Sequence, residues 1–370
     1  MSFSRRRFFG MVGTGWLLGH SRFLAAQEAP PMPALEPIGA FPGRSKVAVV
    51  QGQERRKIVH DALLAIDDQV RPKLQRKKYV VIKPNGLTSR NPLAATSADA
   101  LRGILDYLAP RFNGPVVIAE SSAEDTLEVY ESYGYNRLPS EYGEGKLSLV
   151  DLNREAKYET MPLIDFDLHP RPVRLAARLL DPDAFVICSA IMKTHNTVIA
   201  TLAVKNMVLG APLHSARGET RAWSDKRKYH VGLRQTHYNM LLTAQKLQPN
   251  WGAALIDGFE GMEGEGPGEG TPVPSRIAIA STDYLAADRV ALEAMGINPA
   301  WIGYLSYCAQ VGLGQYDLAK IDVLGATIAS VKRNYRLHPD IRRELLWMGP
   351  MYDLPPKLGE LRQESGKAFA

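Results

Sequence analysis

Apolar positions along the chain fall into two recurring patterns. Short continuous runs at 47–50, 79–82, 116–119, 147–150, 173–176, 184–188, 253–256, 276–280 and 321–324 read as strands covered on both faces. Between them, Ile58, Ala62, Leu63, Ile66 and Val70, and then Leu101, Ile104, Leu105 and Leu108, recur at helical spacing. Thr96-Ser97-Ala98-Asp99 has the spacing of a capping box ahead of the second of these helices. Further helical stretches are expected near 198–208, 231–247, 282–295 and 298–311. Buried strands separated by helices predict an α/β fold, a mainly parallel sheet with helices on both faces in Rossmann-like layers. Ligands of such sheets bind beyond the carboxyl ends of the strands, which singles out the segments 83–86, 120–122, 193–196 and 257–274.

The single α/β domain is expected over residues 46–330. Ahead of it, Ser4-Arg5-Arg6-Arg7-Phe8-Phe9 matches a twin-arginine export signal. The apolar run that follows, 8–19, is too short for a membrane span, which needs about 20 residues. Cleavage is expected near Ala26, leaving no stable span and placing the protein in the periplasm or otherwise outside the cytoplasm, with the twin-arginine machinery as a transient partner. Residues 27–45 hold five prolines (Pro30, Pro31, Pro33, Pro37 and Pro42) and read as an extended linker. Residues 331–370 read as a basic helix and a polar tail.

Composition changes little until charge is located. With 45% hydrophobic and 23% charged residues the chain is globular, and its net charge is +6. Arg5, Arg6, Arg7 and Arg22 supply four of those charges, so most of the case for a nucleic-acid partner leaves with residues 1–26. What remains is patterned. Arg217, Arg221, Lys226, Arg227, Lys228, Arg234 and Lys246 form a basic stretch, and Asp257, Glu260, Glu263, Glu265 and Glu269 follow as an acidic one. The two cysteines, Cys188 and Cys308, cannot build a four-cysteine iron–sulfur cluster within the chain. A disulfide between them is permitted by the compartment but not specified by the sequence.

The glycine-rich run 261–270 carries no dinucleotide fingerprint, and its glutamates would repel a pyrophosphate. As loop carboxylates, Asp257, Glu260 and Glu263 are candidate ligands for Mg²⁺, Mn²⁺ or Ca²⁺; the alternative is a solvated acidic lid. Lys193-Thr194-His195-Asn196-Thr197, at a strand end before an apolar helix, concentrates donors and an imidazole, an arrangement suited to anions. Lys193 reads as a point charge and His195 as an acid/base. Lys205 and Asn206 sit among apolar neighbours and need partners or an exit to water. His230 and His237, seven apart, are weak as a zinc pair. Asp283 reads as a helix N-terminal acid and Asp288 as a mid-helix carboxylate that is either exposed or paired with a base. No G-x-S-x-G, H-E-x-x-H or C-x-x-C occurs.

Val81-Ile82-Lys83-Pro84-Asn85, Lys193-Thr194-His195, Lys205-Asn206, the run 257–267, Asp283 with Ala287-Asp288, and Gly312-Leu313-Gly314 together resemble domain-of-unknown-function family 362 across about residues 46–330. Some members of that family are exported by the twin-arginine route, and many carry ferredoxin-like cysteine clusters that this chain lacks. The resemblance implies one common site from Lys83, Asn85, Lys193, His195, Lys205, Asn206, Asp257, Glu263 and Asp288. The expectation is an exported enzyme, a metal-assisted hydrolase or transferase, acting on a small phosphate- or carboxylate-bearing ligand. Lys83, Lys193 and Lys205 would hold the anion, with Asn85 and Asn206 beside it and His195, Lys193 and Asp288 as catalytic groups. The rival readings are a non-catalytic periplasmic module that binds an anion or a partner, and a redox maturation factor.

Overall fold

The computed structural model describes residues 41–349. The expected signal at 1–26, most of the linker at 27–45 and the tail from 350 lie outside the described residues. The strands are β1 (Ser45–Gln51), β2 (Tyr79–Lys83), β3 (Val116–Glu120), β4 (Leu147–Asp151), β5 (Tyr158–Ile164) and β6 (Pro170–Ala176). They continue with β7 (Ala184–His195), β8 (Ile199–Thr201), β9 (Trp251–Glu263), β10 (Thr271–Val273), β11 (Ile277–Ser281) and β12 (Ile321–Gly325). Ten strands form one sheet in the order β12-β1-β11-β9-β7-β2-β3-β4, with β8 added to β7 and β10 to β9. Along that path only β11 runs against its neighbours, so the sheet is mainly parallel.

Every residue of β7 is buried, as a central strand covered on both faces requires. Alternate side chains go to opposite cores: Val80 and Ile82 pack with the helices Arg55–Leu64 and Ala98–Leu108, and Val81 packs on the other face. Helices Ala203–Gly210, Leu233–Leu247 and Tyr284–Met295 contribute to that second core. No helix among the described residues is long and apolar enough to cross a membrane.

Three expectations are corrected. The strand expected at 173–176 belongs to β6, which pairs with β5 in a separate two-stranded sheet. The segments 193–196 and 257–263, read as loops, are strand for most of their length. Asp257 is still inside the sheet, opposite Ile191 on one side and Ala278 on the other; beyond it β7 and β9 keep pairing, Lys193 opposite Met262, and each then turns back as a hairpin through β8 or β10. Backbone pairing within these projections overrides the polar and glycine-rich composition that suggested loops. Finally, the helix expected after 331 shrinks to Ile341–Glu344 within the described residues. Pro339 restricts the residue before it, and the segment is held instead by buried Tyr335 and Trp347.

Candidate functional site

Strand order reverses between β2 and β7: β3 and β4 step outward from one side of β2, and β7 lies on the other. This switch point is where the carboxyl ends of parallel strands leave a crevice. A cleft of about 150 Å³ opens there, lined by Lys83 of β2, Glu120 of β3, His195 of β7, Lys205 and Asn206, with Lys226 and His230 from the basic stretch. Asn85 completes the lining on the β2 side.

The helix Ala203–Gly210 presents Lys205 and Leu209, and Asn206 and Gly210, to the cleft at i,i+4 spacing. It is anchored from the far side. The Asp288 carboxylate accepts hydrogen bonds from the Ala203 and Val204 N–H groups at 2.7 and 3.0 Å. Asp288 is fully buried, and burial pushes its carboxyl up to about 8. Its partner is therefore a helix end rather than a base, and it does not line the cleft where a catalytic role was expected.

Lys83 is committed as well. Its ammonium donates to both Glu120 carboxylate oxygens at 2.8 and 3.0 Å, to the Pro84 carbonyl at 2.8 Å and to Asn206 Oδ1 at 3.1 Å. Glu120 also accepts the Gly86 and Ser121 N–H groups, both at 2.8 Å. A side chain at Gly210 would collide with the Lys83 ammonium, so glycine is what lets this helix approach the pair. Asn85 Nδ2 donates to Asn206 Oδ1 at 3.0 Å, while Asn85 Oδ1 is buried without a partner. Lys193 turns away from the cleft and donates to the Ala94 and Pro267 carbonyls at 2.9 and 3.2 Å, tying the glycine-rich hairpin to the segment after β2. Neither lysine holds its charge free for an anion, as both were expected to.

Lys205 does. It is 8% exposed and has no hydrogen-bond or ion-pair partner among the described residues. Burial, reinforced by the nearby Lys83 charge, brings its amine down to about 7. Lys226 donates to the Leu209 and Gly210 carbonyls at the end of the same helix, at 3.0 and 3.3 Å, and burial likewise lowers it to about 7. His195 Nδ1 accepts the Thr197 N–H at 3.1 Å, which assigns the ring proton to Nε2. Burial and the surrounding lysines, Lys205 first, hold the imidazole well below its usual range, so it is neutral at pH 7. The lining thus contains three lysines against one carboxylate, and that carboxylate is already taken by Lys83.

The acids expected to bind metal do not converge. Asp257 is buried 3.2 Å from Arg55 Nε and accepts the Phe259 N–H at 2.9 Å. Glu263 accepts the Arg336 N–H at 2.8 Å. Glu260 is exposed beside Asp257 at a second cleft of about 250 Å³, which also holds Asp99 and Arg102. Although larger, that cleft has its buried Asp257 paired with Arg55, and its Arg102 paired with Asp99 and Glu141. Among the described residues no group of three or more His, Cys, Asp or Glu is placed to hold a metal ion, so these three acids do not fit a divalent cation. Cys188 and Cys308 are free and buried, and burial pushes the Cys188 thiol up to about 12. His237 sits in the core, accepting the Tyr304 N–H, whereas His230 lies ahead of that helix at the cleft.

Glu120 lies in the strand-end segment 120–122, but neither it nor Lys226 was expected to take a role at the site. The signal for Glu120 is a charge closing a buried apolar strand, just as for Lys83. Nothing distinguishes Lys226 from its basic neighbours in sequence.

No curated protein matches the chain. A crystal structure of a protein from Thermotoga maritima, determined by a structural genomics consortium, superimposes with a TM-score of 0.38 at 11% identity. The match covers 60% of this chain and 55% of that one, so the chain spans little more than half of its length. The model of the family described as a domain of unknown function, DUF362, matches residues 80–293, and the chain belongs to that family.

Proposed function

We propose that the cleft at the β2–β7 switch point is the active centre of an exported enzyme acting on a small phosphate- or carboxylate-bearing substrate. The observation that carries this reading is the Lys205 side chain, buried without a counter-ion in a cleft whose single carboxylate is already paired. A buried charge without a partner is costly, and an incoming anion supplies the missing partner. Lys226 stands on the same lining as a second cation. The neutral His195 offers Nε2–H as a donor toward an oxygen on which charge develops. Lys83, Glu120, Asn85 and Asn206 form the hydrogen-bonded floor that keeps the helix and β2 in register. Export rests on Ser4-Arg5-Arg6-Arg7-Phe8-Phe9.

Titration calorimetry with inorganic phosphate tests the site. The wild-type chain is expected to bind it, and Lys226→Met to bind about tenfold more weakly, the scale of one charge-assisted hydrogen bond, with Lys226→Arg retaining most of the affinity. Equal affinity of wild type and Lys226→Met, or no binding by either, overturns the reading.

A pH series adds the sign. Lys205 and Lys226 lose their protons near pH 7, far below an ordinary lysine, so the attraction is full below that pH and fades as pH rises through it. Sulfate keeps its charge over this range, and its affinity is expected to fall at least about tenfold between pH 6 and 9, the scale of losing one such ammonium. A flat profile would place the anion elsewhere.

A further inference from the structure

Lys205 carries a second implication, which rests on the cleft being an anion site and names the chemistry of its substrate. Lys226, only partly buried, donates its ammonium to two backbone carbonyls. Lys205 has no such partners. Its nitrogen meets no carboxylate, carbonyl or hydroxyl among the described residues, the side chain is 8% exposed, and Lys83 and Lys226 line the same cleft. Desolvation together with cationic neighbours is the environment that turns a lysine into a nucleophilic amine.

We infer that Lys205 is a nucleophile that forms an imine with a small carbonyl compound bearing an anionic group, the anion being held by Lys226 and the carbonyl oxygen facing His195. The bookkeeping of atoms closes without an oxidant or a cofactor. The Nζ lone pair attacks the carbonyl carbon and a C–N bond forms. The carbonyl π pair moves to oxygen, which receives a hydrogen bond from His195 Nε2–H and takes a proton to give a carbinolamine. The C–O bond then breaks, oxygen leaves as water with two hydrogens that came from the amine, and a C=N bond remains. One amine and one carbonyl give one imine and one water. His195 suits the task because it lines the cleft and its Nδ1 is occupied by the Thr197 N–H, which leaves Nε2–H as the ring's donor. The shift of Lys205 to about 7 supports the same role, since at pH 7.5 most of this amine is neutral. An ordinary lysine has only about one part in a thousand neutral at that pH.

The test is reductive trapping with glyoxylate and sodium cyanoborohydride, read by peptide mass mapping of the purified chain. Expected is carboxymethylation of Lys205 at a rate more than about tenfold above that of surface lysines such as Lys57 or Lys78. The labelling rate should level off above about pH 7 and be suppressed by millimolar sulfate. Lys205→Arg removes the fast label and leaves the slow ones. Adduct spread evenly over the lysines, with sulfate still binding by calorimetry, overturns the imine and leaves the anion site standing. Even labelling with no sulfate binding overturns both. Because the decisive readout is on the wild-type chain, misfolding of a variant does not obscure it.

Discussion

Replacing Glu120 by alanine is expected to destabilise the chain by about 3–5 kcal/mol, the largest single effect in the cleft, because it strands the buried Lys83 ammonium. In the native fold Lys83 and Glu120 are both almost fully buried, and the carboxylate accepts from the ammonium and from two backbone N–H groups. Deleting it removes the counter-charge and leaves the Gly86 and Ser121 N–H groups unpaired in a dry site. Urea unfolding measures the effect as a drop in midpoint at constant m. The double variant Lys83→Met with Glu120→Gln carries no buried charge at the pair and is expected to lose less than Glu120→Ala alone. A loss below about 1 kcal/mol for Glu120→Ala would mean that water reaches Lys83 and the pair behaves as an exposed one.

The second large effect lies away from the cleft wall. Asp288→Ala is expected to lose about 2–5 kcal/mol, since the Ala203 and Val204 N–H groups are left without an acceptor in the core. It should also weaken phosphate binding although Asp288 touches nothing in the cleft, because the same helix carries Lys205 and Asn206. Asp288→Asn keeps one acceptor oxygen and separates packing from charge. The Asp288 pKa is raised on folding from about 4 to about 8, so the folded state binds the extra proton between those values. The stability linked to that proton is fully present below pH 4 and is lost as pH rises through 8. Thermal unfolding across that range should show this decline in wild type and a flatter profile in Asp288→Asn. Identical profiles would remove Asp288 as the source.

Much of this molecule is legible in one dimension. Apolar runs at 79–82, 116–119 and 184–188 became adjacent parallel strands, because a strand covered on both faces has no polar alternation to confuse its reading. The rule that ligands sit at strand ends brings Lys83, Glu120 and His195 forward, and the polar pair in an apolar helix brings Lys205 and Asn206. The rule failed where backbone pairing outran composition. Asp257 sits inside the sheet, paired on both sides, Lys193 sits where β7 and β9 run on beyond it, and the glycines at 264–270 serve close packing as well as turning, Gly266 lying against the Thr194 carbonyl.

The sequence by itself determined the α/β layering and brought some of the cleft's charged residues, Lys83, His195 and Lys205, to notice. The layering follows from hydrophobic periodicity, a local property of the chain. Only the tertiary structure decided which of those charges are spent. Lys83, Lys193 and Lys205 look alike as residues next to apolar runs, yet one is neutralised by Glu120, one is held by two carbonyls and one is left without a partner. A lysine's chemistry depends on groups within hydrogen-bond reach, and here those groups come from residues 37, 74 and 99 positions away, contacts that exist only after the chain has folded.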